Sequence, residues 1–201
     1  MMKKMVLYCL ALGLLFFETG WAKGFEAELS VGNTSIDGGV HFKNEIAGGG
    51  FWKAGSSVIY TDDDETEYKW AELDFRVGSD TWQPGLTTEV GLKTIFGDAE
   101  DNGYSGDVGA LAFSGRIGYV FPTTMLPLPL EVFGSLSYAP EILSFRDTDD
   151  YMAYEIGAGV RIVQNASIIL KYVAYDMDME TGTRGWNFDD DALRIGLVMR
   201  F

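Results

Sequence analysis

His41 is the single histidine of the 201-residue chain. It lies in the stretch Ile36 to Lys43, where apolar and polar residues alternate, so on a strand it shares one face with Asp37 and Lys43. A catalytic histidine needs an orienting acid and a nucleophile or activated water where substrate arrives. Asp37 offers the acid, but His41 falls toward the end of its strand that lies away from where a substrate would arrive. His41 is therefore expected to fill an interior, and no enzymatic activity is expected. The acid runs "TDDDETE" and "DTDD" carry the oxygens that Ca²⁺ takes, yet neither has the glycine and distal glutamate of a calcium loop. They read as solvated acidic rims, with no metal and no cofactor. "AGGGF", at 47–51, lacks the ending of a phosphate loop and reads as a turn with a strand entry.

The other charged residues of the alternating segments form a pattern. On their polar faces the acids are Glu26, Glu28, Asp37, Glu72, Asp74, Glu89, Glu131 and Glu155. The bases are Lys43, Lys53, Arg76, Lys93, Arg116, Arg161, Lys171 and Arg194. Eight oppose eight, although the chain as a whole has a net charge of −15. Balance on one face suits a narrow interior, where an unpaired charge is costly. These residues, with His41, are expected to line a lumen. The acidic excess elsewhere excludes nucleic acid as a partner, because phosphate binding needs the opposite sign.

Such charges need elements that aim every second side chain inward. Apolar residues recur at period two from Phe25 to Val31, again through Ala71, Leu73, Phe75 and Val77, and at intervals to Phe201. About ten such segments of roughly ten residues follow one another, and helical periodicity is absent from 23–201. The connections alternate in kind. Long acidic ones, such as "GDAEDNGYSGD" and "YDMDMETGTRGWNFDDD", are separated by short or Pro/Gly-bearing ones such as "VQNAS". Outer-membrane barrels have short periplasmic turns and longer outer loops. The first hairpin, "GNTS", is short where the others are long. Aromatics at strand ends (Trp52, Trp70, Trp82, Tyr119, Phe121, Tyr138, Tyr154 and Tyr172) are expected to form interfacial girdles.

Residues 1–22 have a basic start, an apolar run and the small residues Gly20 and Ala22, the signature of a cleaved signal peptide. The only cysteine, Cys9, lies within it. With Lys3, Lys4 and Glu18 set aside, residues 23–201 hold 13 basic and 29 acidic residues, a net charge of −16. These 179 residues are expected to form one domain.

Alternation alone leaves open whether the apolar rows face a ligand inside a soluble periplasmic barrel or lipid outside a membrane barrel. An even strand number, a charge-balanced polar face and the ending "ALRIGLVMRF" favour lipid. A sheet in a bilayer must close. Leu193, Ile195, Leu197, Met199 and Phe201 resemble the C-terminal signal read by the barrel assembly machinery. The fold expected is an all-β, closed, antiparallel up-and-down transmembrane β-barrel of about ten strands. "YAPEILSF", the acidic stretch after it and "YMAYEIGAGV" resemble the YfaZ family of predicted outer-membrane proteins. The resemblance implies a small barrel in the outer membrane of a Gram-negative bacterium, among lipid and lipopolysaccharide. It carries over no activity and no catalytic residue. A structural barrel or narrow pore is expected. The alternatives are a soluble barrel for an apolar ligand and a barrel enzyme acting on envelope lipid, the latter requiring His41.

Overall fold

A computed structural model describes residues 24–46, 48–63, 66–80, 82–122, 124 and 128–201. The signal peptide expected at 1–22 lies outside them. Ten strands follow in chain order: β1 Phe25–Val31, β2 Ser35–Ile46, β3 Gly50–Asp62, β4 Thr66–Ser79 and β5 Leu86–Asp101. They continue with β6 Tyr104–Val120, β7 Leu130–Ala139, β8 Thr148–Val163, β9 Ala166–Thr181 and β10 Arg184–Arg200. Each pairs antiparallel with its neighbours in sequence, and β10 returns to β1, so the sheet is a closed barrel. At the last residue, the Phe201 N–H donates to the Phe25 carbonyl at 2.8 Å, and the Gly24 N–H donates to the Phe201 carbonyl at 2.7 Å.

The direction of the apolar rows follows from which residues are covered. Leu73, Phe75, Val77, Val90, Ile117, Leu136, Ile156, Leu193 and Ile195 are all exposed on the outer wall. Their charged neighbours Glu72, Asp74, Arg76, Glu89, Lys171 and Arg194 are buried. A belt of large apolar side chains around a closed sheet is what lipid solvates and water does not. The chain is a small transmembrane β-barrel.

The strands are longer than a bilayer requires. About 9–11 tilted residues span it, whereas β6 and β10 each have 17. In the surplus the two faces exchange character. Along β9 the outward row runs from Ile168 and Leu170 through Tyr172 to Asp176, Asp178 and Glu180, while the inward row runs from Lys171 to Val173, Tyr175, Met177 and Met179. Strands β4, β5 and β10 change in the same way. Beyond the belt, acids face water and apolar residues face inward, as in a water-soluble sheet.

Segments expected to be long loops are therefore largely strand. "GDAEDNGYSGD" is a hairpin turning at Asn102 and Gly103, both at positive φ, and "YDMDMETGTRGWNFDDD" is one turning at Gly182. Asp98 and Glu100, and Asp176, Asp178 and Glu180, occupy every second position, so these segments read as charge-rich loop but alternate as strand. The "YAPEILSF" segment has its own task. β7 pairs with β6 only up to Phe113↔Tyr138. Beyond that point a 3₁₀ turn at Glu141–Leu143 and the Phe145 N–H, donating to the Gly109 carbonyl at 2.9 Å, complete the wall. A side chain at Gly109 would meet the Phe145 ring at 2.5 Å, so this approach requires glycine.

Candidate functional site

The barrel interior has three layers. The one furthest from the chain termini is apolar and aromatic. Tyr68 stacks on Trp70 with centroids 4.3 Å apart, Trp70 meets Tyr175 edge-on at 4.9 Å, and Tyr68 meets Phe188 edge-on at 5.4 Å. Tyr151, Met177, Met179, Val108 and Ile95 fill the space around them and are fully buried. Ala110 and Ala112 on β6 are small enough to admit the rings. Trp70, expected in the interfacial girdle, is instead 3% exposed inside this layer. It stands in the inward row of β4 with Glu72 and Asp74, so parity overrides its place near a strand end. Girdle-like contacts do occur on the outer wall, where Tyr154 and Tyr172 lie 6.0 Å apart.

The middle layer is ionic. Arg194, 1% exposed, donates to Asp37 at 2.8 Å, to the Tyr68 hydroxyl at 3.1 Å and to Ser35 at 3.0 Å. The Tyr68 hydroxyl in turn donates to Asp190 at 2.7 Å, joining the ionic layer to the aromatic one. Lys171 donates to Glu28 and lies 3.1 Å from Asp37 and 3.4 Å from Glu155. Arg116 donates to Glu155 at 2.9 Å, and Lys93 lies 2.9 Å from Glu72. Arg76 reaches Asp74 at 2.6 Å and Glu89 at 3.0 Å. His41 Nε2 is 3.1 Å from Asp74, two strands away, rather than beside Asp37 and Lys43. Gly55 makes the room, since a Cβ there would overlap the imidazole.

The third layer, at the termini end, is an open chamber of about 380 Å³. Its charged wall includes Glu26, Lys53, Glu131 and Arg161, joined by Arg200. Lys53 donates to Glu26 at 2.6 Å. Arg200, the one wall base that the strand-charge pattern missed, donates to Glu26 at 3.0 Å and to Glu131 at 3.3 Å. It shares the inward parity of Arg194, and that was the available signal. Lys43 lies at the rim, 3.5 Å from Asp80. The terminal row Leu193, Ile195 and Leu197 is exposed outward, with Met199 and Phe201 half-buried below it. No group of three His, Cys, Asp or Glu side chains placed to hold a metal occurs among the described residues.

The family model described as YfaZ precursor matches residues 2–201. The chain belongs to the YfaZ family. Solved structures similar to this YfaZ-family barrel include the NanC porin, 9% identical, covering 88% of this chain and 100% of that one with a TM-score of 0.44. The KdgM porin in complex with disordered oligogalacturonate is 11% identical, with coverages of 88% and 98% and a TM-score of 0.43. The translocator domain of the autotransporter NalP from Neisseria meningitidis is 11% identical, with coverages of 99% and 95% and a TM-score of 0.39. No curated protein matches the chain.

Proposed function

We propose that this YfaZ-family protein is a structural barrel of the Gram-negative outer membrane whose bore is closed to free diffusion. It is exported through a cleaved signal peptide at 1–22 and inserted by the barrel assembly machinery through its Leu193–Phe201 row. It is solvated by outer-membrane lipid and lipopolysaccharide, with the acidic hairpin tips outside and the termini in the periplasm. The carrying observation is the layer of Tyr68, Trp70, Tyr175 and Phe188 across the interior. Rings packed at these distances would close that level to water, while the ion pairs beneath them narrow the next level to a cavity of about 110 Å³.

The exposed apolar belt weighs against a soluble barrel, which would turn those rows inward. A catalytic role finds no support at His41, whose ring faces the barrel interior with Nε2 3.1 Å from Asp74. The reading therefore has no catalytic residue, metal or cofactor.

Planar-bilayer conductance tests the closed bore. The natural protein is expected to give no steady channel steps, while Trp70→Ala with Tyr175→Ala gives discrete openings. Stable conductance from the natural protein would overturn the closed reading.

A further inference from the structure

We propose that the chamber at the termini end is a binding site for a small organic anion, a carboxylate or a phosphate ester. Entry from the periplasm rests on the orientation proposed above; the site itself does not.

The chamber, about 380 Å³, falls within the range of small-molecule sites. Its wall contains both signs of charge, but the two are not equally accessible. The side chains of Lys43, Arg161 and Arg200 are 34–37% exposed, whereas the acids of the wall range from 8–9% for Glu89 and Glu131 to 20–22% for Glu28 and Glu26. Three cations are thus more exposed than any acid of the wall, although Lys53 is held deeper, at 11%. Two of these cations are also held less closely than the third, Arg200, which donates to Glu26 at 3.0 Å and to Glu131 at 3.3 Å. Arg161 is 3.7 Å from Glu131 and Lys43 is 3.5 Å from Asp80, against 2.6 Å for the deeper Lys53–Glu26 pair.

Two cationic heads are positioned by rings as well as by acids. The Lys43 ammonium lies 4.0 Å from the centre of the Phe51 ring, and the Arg116 guanidinium lies 4.5 Å from that of Phe133. A ring holds a cation without consuming its N–H donors. Buried carboxylates thus offset the cost of keeping the cations in the chamber. Carboxylate and phosphate oxygens match such donors with charge-assisted hydrogen bonds. A neutral solute of the same size gains no such bonds, and a cation is repelled at the rim.

The full chain, folded in detergent, is titrated calorimetrically with glycerol 1-phosphate and citrate, and with glycerol as the uncharged counterpart. Saturable heat is expected with at least one anion and none with glycerol. Lys43→Gln with Arg161→Gln is expected to weaken the anion at least tenfold while keeping the compact band of unboiled protein on a detergent gel. As a second measurement on the natural protein, the same anion should protect Arg161 from phenylglyoxal and leave Arg146, at the opposite end, fully reactive. Absence of saturable heat with both anions, equal heat with glycerol, or Arg161 labelled as fast as Arg146 would overturn the inference. Channel conductance from a protein that binds in this way would sink the closed-bore reading and leave the anion site standing.

Discussion

At the scale of single residues, Arg194 carries the most. Among the described residues it is the largest fully buried side chain, and it binds groups from β2 and β4, with its carboxylate partner on a strand next to the closing seam. Removing one member of a buried pair costs about 3–5 kcal/mol where it strands the other charge, and towards the lower end here because Asp37 keeps Lys171 at 3.1 Å. Arg194→Ala is therefore expected to lower stability by roughly that much, read as a shift of the urea midpoint in detergent, while Arg194→Met with Asp37→Leu recovers most of it. An Arg194→Ala midpoint equal to that of the natural protein would remove Arg194 from this role. The inward direction of Arg194 follows from parity alone and is legible in the sequence. Its bond to the Tyr68 hydroxyl is not, because it depends on how far strands four apart are staggered. The contact of His41 with Asp74, two strands away, is illegible for the same reason, since period two names the face but not the partner across it.

At the scale of elements, the exchange of faces along each long strand explains what the sequence hid. Alternation was legible wherever the outward residues were apolar. Where they become acidic the same alternation reads as loop, and Trp70 reads as girdle. The exchange has a cost in register. Asp189 stands directly opposite Asp176, and Asp178 opposite Asp150, on one outer face. Like charges directly opposite one another destabilise a strand pair. Partial burial and the neighbouring Asp189, Asp178 and Asp150 raise the Asp176 carboxyl above its usual range. The folded hairpin thus binds that proton more tightly than the unfolded chain, and the hairpin gains stability as pH falls through the raised value. Proteolysis at the β9–β10 tip is expected to slow on mild acidification. Asp189→Lys should slow it at neutral pH by roughly up to fivefold and flatten the pH response. A tip cut at the same rate at both pH values, once protease activity is normalised, would count against the cross-strand repulsion.

For the whole molecule, closure rests on its shortest ladder. β1 meets β10 over six residue pairs, Glu26↔Arg200 to Val31↔Ile195, whereas β5 and β6 share sixteen. A lipid bilayer tolerates no open edge, so so short a seam needs help from inside. Side chains supply it with opposite signs on the two sides: Glu26, Glu28 and Asp37 on the first hairpin, and Lys171, Arg194 and Arg200 on the last. They meet as Arg200–Glu26, Lys171–Glu28 and Arg194–Asp37. β1 has short ladders on both sides, six pairs with β10 and seven with β2, whereas even β7 has eight and ten, so the barrel should open first at β1. Local opening free energies are read by amide exchange, and the least-braced segment exchanges first. Amides of 25–31 are expected to exchange in detergent well before those of 90–96 and 109–115. Glu26→Gln should speed exchange in β1 and leave the β5–β6 ladder unchanged, because that carboxylate joins the seam to Arg200 and Lys53. Uniform exchange around the barrel, or a Glu26→Gln effect spread over all ten strands, would mean that the ladder alone closes the sheet and that the charge division between the two hairpins serves only to fill the interior.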